Sequence, residues 1–254
     1  MKRAASIAAG VFLAFHMGSS TGFAQSSGNF SYATTGDNFV GCTLDTGGAI
    51  TGGFQCQQNC IIDSSGVSTC TSASGDCMGN AVAGIKTSSG NGNVFVVRPS
   101  AVVGLLTDVT VSSKQTGSST GGVSSSALAG VDFTVSVTGP GSPQVIPSGA
   151  VTYDSRYIQI STNLFQALAT QCLAITGGCF ITFNESTVSA HSFDWIVKNL
   201  QSGTYTVTTS WKDTLAGTGI SRSLACVGPL NMTVQQNKVF RFNTPGGVTP
   251  INTP

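Results

Sequence analysis

The sequence predicts an all-β protein: an antiparallel β-sandwich, Ig-like or jelly-roll-like, preceded by a disulfide-linked, loop-rich segment. Three observations predict it. From Asn93 onward the chain alternates short apolar runs rich in β-branched residues with Gly, Pro, Ser and Asn. Charged residues make up only 8% of the chain, as suits strands buried face to face. Five of the eight cysteines precede Gly92, in a stretch poor in large aliphatics, which reads as held by cross-links rather than by a core.

The elements follow in order. Lys2 and Arg3, the apolar run 4–15 and the small residues around Gly22-Phe23-Ala24 form a secretory signal peptide over 1–24. No cysteine follows the cleavage site, which argues against a lipid anchor, and no later stretch approaches the roughly 20 apolar residues of a membrane helix. The mature chain is therefore expected to be secreted, periplasmic or extracellular. Residues 25–92 form the Cys-rich, Gly/Ser/Thr-rich segment. Strands are expected at 94–98, 102–111, 131–138, 150–160, 179–183, 191–198, 204–211, 221–227, 232–235 and 238–242, within a sandwich domain over 93–244. Residues 162–173 fit helix or strand, 114–128 reads as a flexible loop within the domain or as a linker, and 245–254 as a C-terminal tail.

Composition excludes some function classes. Without Lys2 and Arg3, nine basic residues face ten acidic ones, and no basic stripe is present to hold phosphates, so nucleic acid is not an expected partner. Beyond the leader the only histidine is His191, in "SAHSFDWIV" (189–197), with Asp194 three positions on. Strand side chains alternate, so His191, Phe193 and Trp195 share one face while Asp194 and Ser192 share the other. A regular strand thus denies His191 and Asp194 a dyad, and His191 reads as a half-buried structural residue beside an aromatic face. Residues 191–198 and 204–211 read as a hairpin, with Tyr205, Val207 and Trp211 on one face of the return strand.

The only glutamate is Glu185, and a glycosidase pair would have to be assembled from Asp108, Asp132, Asp154, Glu185, Asp194 or Asp213. Neither Thr35-Gly-Asp-Asn nor Gly75-Asp76 resembles an ordered calcium loop. The spacing of Cys56 and Cys60 suits zinc, but no second pair or histidine set completes it, and disulfides fit an exported chain better. No catalytic, cofactor or metal residue is assigned. The disulfide candidates are Cys42, Cys56, Cys60, Cys70, Cys77, Cys172, Cys179 and Cys226. The Thr-Gly-Gly turn between Cys172 and Cys179 favours a local bridge, and parity then requires Cys226 to reach back into the Cys-rich segment if every cysteine is oxidised.

The stretches "NVFVVRPSAVVGLLTDVTVSS" (93–113), "PSGAVTYDSRYIQIS" (147–161) and "SAHSFDWIVKNLQSGTYTVTTSW" (189–211) resemble a group of uncharacterised exported bacterial proteins with a β-rich domain. The likeness covers the second two-thirds of the chain and implies a shared sandwich with no known activity. The expectation is a non-catalytic exported protein with a structural or surface-binding role, its partner a glycan or a cell-surface protein. The alternative is a secreted, carboxylate-based hydrolase.

Overall fold

The structure, a computed structural model, describes residues 29–35, 40–63, 66–72, 77–87, 92–112, 124–161 and 179–238. The signal peptide, the C-terminal tail, residues 162–173 and Cys172 lie outside the described residues. Among the described residues there are fourteen strands and no helix. They are β1 (Phe30–Thr34), β2 (Thr43–Leu44), β3 (Ile50–Thr51), β4 (Phe54–Ile62), β5 (Ser68–Ser72), β6 (Met78–Thr87) and β7 (Asn93–Ser112). There follow β8 (Ser124–Thr138), β9 (Gly141–Ile146), β10 (Val151–Ser161), β11 (Phe180–Ser192), β12 (Trp195–Leu200), β13 (Gly203–Thr218) and β14 (Ile220–Lys238).

Two antiparallel sheets make the sandwich. The larger has eight strands in the order β5-β4-β14-β7-β12-β9, with β1 continuing beside β14 and β11 beside β7. The smaller runs β10-β8-β13-β6. Alternation builds the core between them: Phe95, Val97, Val103 and Leu105 point inward from β7, and Tyr205, Val207 and Trp211 answer from β13. The opposite face of the larger sheet is also partly covered. Leu106, Leu224 and Cys226 on that face pack under Ile50 of the small β2–β3 pair and under Cys42.

Several expected boundaries move, each for a packing reason. The runs 94–98 and 102–111 are one strand, β7, which carries Pro99 in its middle. The neighbouring strand is interrupted at the same level. Ser192 of β11 lies opposite Ser100 and Trp195 of β12 opposite Val97, so Phe193 and Asp194 stand outside the ladder across from a residue with no N–H to give. The Pro99 carbonyl instead accepts a hydrogen bond from the Tyr153 hydroxyl at 2.8 Å. Likewise 221–227 and 232–235 are one strand, β14, with a register shift between Val227 and Leu230 that absorbs Gly228 and Pro229.

Three polar stretches are strands despite their composition. Ser124–Leu128, expected within the loop 114–128, open β8, where Ser125 and Ser126 are buried and Ser126 Oγ meets Thr218 Oγ1 at 2.9 Å. β11 runs unbroken through Asn184–Ala190, and β4 through "QCQQNC". The described residues of the segment 25–92 are accordingly richer in strand than their composition suggests. β4 and β1 join β14, β6 joins β13, and Cys56, Cys77, Ala81, Ala83 and Ile85 enter the same core cluster as Phe95. The change of composition at residues 92 and 93 falls at the turn between β6 and β7, and both sheets draw strands from either side of it.

Residues 191–198 and 204–211 do not form a hairpin. β12 belongs to the larger sheet and β13 to the smaller, so the chain crosses the sandwich between them. Asn199 and Gly203 take positive φ at this crossing, 61° and 149°. The Tyr205 hydroxyl fastens it, accepting from the Gln201 N–H at 2.7 Å with the Pro140 carbonyl 2.9 Å away. A tyrosine that ties its own corner in this way recurs in β-sandwiches.

Candidate functional site

The residues with acid–base chemistry gather where the edge strand β10 of the smaller sheet faces the edge strand β11 of the larger. On β11, Glu185, Ser189 and His191 lie opposite Thr107, Val103 and Ala101 of β7, all inward-facing positions. On β10 a bulge sets the arrangement. Thr152 pairs with outward-facing Asp132, and Tyr153 is the extra residue, so Asp154 pairs with inward-facing Val131. Without the bulge Asp154 would share the outer face with Thr152, because strand parity is two. Tyr153 stacks on Phe133 at 4.0 Å between centroids, and burial pushes its phenol well above the usual tyrosine range.

Across this seam Arg156 Nη1 meets Glu185 Oε1 at 2.5 Å. Ser189 Oγ lies 2.6 Å from His191 Nε2 and 3.5 Å from Asp154 Oδ2, and His191 Nε2 stands 3.8 Å from the same carboxylate oxygen. Serine, histidine and aspartate therefore do come together, with a different aspartate from the one nearest in sequence. Their order is wrong for nucleophile activation. A triad needs serine donating to one ring nitrogen and the carboxylate holding the other. Here serine and carboxylate approach the same nitrogen, and the arrangement that satisfies all three has Nε2–H donating to Ser189 Oγ, which donates to Asp154. In that arrangement the serine proton points at the Asp154 carboxylate rather than at the imidazole.

The remaining candidates are dispersed. Asp194 faces away from His191 and forms a two-pronged pair with Arg98, at 2.6 Å from Nε and 2.7 Å from Nη2. The hydrogen bond from Arg98 holds its carboxyl below the usual range, against a smaller opposing effect of burial. Phe193, expected on the buried face, is 41% exposed, because it leaves the ladder opposite Pro99 and lies edge-on against Trp195 at 4.8 Å. Burial raises the Asp108 carboxyl, with Arg222 opposing. Asp132 accepts from Thr152 and Thr214, and Asp213 accepts from the Cys77 N–H. Glu185 and Asp154 are each engaged by partners across the seam. A shallow opening at the end of the seam is lined by Ile158, Ile160, Phe183 and Glu185.

Among the described residues one group could suggest a metal: Cys56, Cys77 and Asp213, with ligand atoms within 4.8 Å of one another. The two sulfurs are bonded to each other, so no thiolate is left to bind an ion. Cys42 is bonded to Cys226 and Cys60 to Cys70. Cys179 is also disulfide-bonded, while Cys172, its expected partner, lies outside the described residues.

A scan against protein-family models finds no match for this chain, and neither does a search of curated proteins.

Proposed function

We propose that the chain is an exported, non-catalytic β-sandwich with a structural or surface-binding role, its partner a glycan or a cell-surface protein. One observation carries this reading. The polar side chains best suited to acid–base work fasten the β10 and β11 edges together, and Ser189 and Asp154 approach the same nitrogen of His191 instead of opposite ones as a triad requires. Three disulfides fit a non-cytoplasmic compartment, and among the described residues no helix is long and apolar enough to cross a membrane. The resemblance of 93–113, 147–161 and 189–211 to exported bacterial proteins supports the same placement.

A carboxylate-based hydrolase is the competing reading, because Asp154 and Glu185 do lie along one seam. The test is a glycan array together with a broad hydrolase screen on the mature chain, repeated with Glu185→Gln and His191→Ala. The binding reading expects glycan or protein capture without turnover. Turnover that vanishes in either variant, with the fold retained, would overturn it.

A further inference from the structure

The three disulfides whose cysteines are both described differ in exposure. Cys56–Cys77 and Cys42–Cys226 join buried residues, whereas Cys60–Cys70 joins a buried cysteine to one on β5, all of whose residues are exposed. We propose that Cys60–Cys70 is a thiol–disulfide exchange site, attacked at Cys70 by a dithiol.

Access dictates the direction of attack. Cys60 is covered by the smaller sheet: a Cβ built on Gly217 would meet its Sγ at 2.9 Å. Cys70 sits on an edge strand whose ladder partner is β4, directly opposite Cys60. An incoming thiolate therefore bonds to Cys70 Sγ, and the Cys70–Cys60 bond breaks with Cys60 leaving as the thiolate. The second thiolate of the same dithiol then attacks its own sulfur in the mixed disulfide and releases the Cys70 thiolate. Two electrons and two protons pass from the dithiol, which becomes a disulfide, to Cys60 and Cys70, which become thiols. The Gly217 carbonyl oxygen, 3.3 Å from Cys70 Sγ, is placed to accept the new S–H.

The fold tolerates the opening. The bridge spans a sequence separation of 10, against 21 and 184 for the others, and so constrains the unfolded chain least. β4 keeps its place through seven ladder positions with β14, from Cys60–Ser221 to Phe54–Val227.

The test exposes the native full chain briefly to dithiothreitol, blocks new thiols with iodoacetamide and maps the labelled cysteines. Cys60 and Cys70 are expected to label at least about tenfold faster than Cys42, Cys56, Cys77 and Cys226, with the far-ultraviolet spectrum unchanged. Equal labelling of a buried bridge, or labelling of Cys60 and Cys70 only at the rate of global unfolding, would overturn the proposal. A Cys60→Ser, Cys70→Ser chain should keep its strand spectrum; loss of that spectrum would make the bridge a structural requirement and not an exchange site.

Discussion

Trp195 and Asp194 are sequence neighbours on opposite faces, and they should respond oppositely to substitution. Trp195 is fully buried beside Tyr153 and Phe193, so Trp195→Ala should cost about 3–5 kcal/mol. Asp194→Asn breaks an exposed pair and should move the urea midpoint little at neutral pH. What it changes is the slope of stability against pH. The folded carboxyl titrates below its unfolded value, so the pair contributes above the ordinary carboxylate pKa of about 4 and is lost as pH falls through the lower, folded value. Asp194→Asn should therefore flatten the acid limb of stability against pH, and an unchanged limb would mean that the pair does not persist in solution. Strand parity made this much legible in the sequence: His191 and Trp195 on one face, Asp194 on the other. The Ser189–His191–Asp154 cluster was not legible. It depends on a one-residue bulge at Tyr153 that turns Asp154 inward, and nothing in "VTYDSRY" announces an extra residue, whose place is set by the Phe133 ring and the Pro99 carbonyl.

At the scale of elements, apolar alternation located most of the strands, and what it missed was polar. β4, the start of β8 and the middle of β11 are built largely from Ser, Thr, Gln and Asn, and on β8 the buried Ser126 meets Thr218 through their hydroxyls at 2.9 Å. Apolar pattern is blind to such strands. The hairpin expected between β12 and β13 failed for a related reason: two alternating runs joined by a short loop look alike whether the strands pair or cross between sheets. The crossing rests on Gly203, whose φ of 149° and approach to Pro140, 2.6 Å from a built Cβ, leave no room for a side chain. Gly203→Ala should cost about 1–3 kcal/mol, read as a lower thermal midpoint, whereas Gly84→Ala, with open space around its Cβ, should not.

For the molecule as a whole, Cys42–Cys226 is the longest-range covalent tie among the described bridges, across a sequence separation of 184. The chain-entropy model assigns such a bridge about 5 kcal/mol. A Cys42→Ser, Cys226→Ser chain should lose stability of that order in urea, with the Cys56–Cys77 bridge retained in peptide maps; a midpoint within error of the parent would show that the buried contacts around Ile50 and Leu106 suffice on their own. The order of strands in the larger sheet adds a constraint in time. β14 is the last described strand and lies at the sheet's centre, paired on one side with β7 and on the other with β4 and β1, whose Phe30 sits opposite Gln235. Contacts of such sequence separation make folding slow. The larger sheet cannot close before residue 235 is delivered, so a chain emerging from the ribosome holds β1, β4 and β7 without the strand they share until the last described strand has been made.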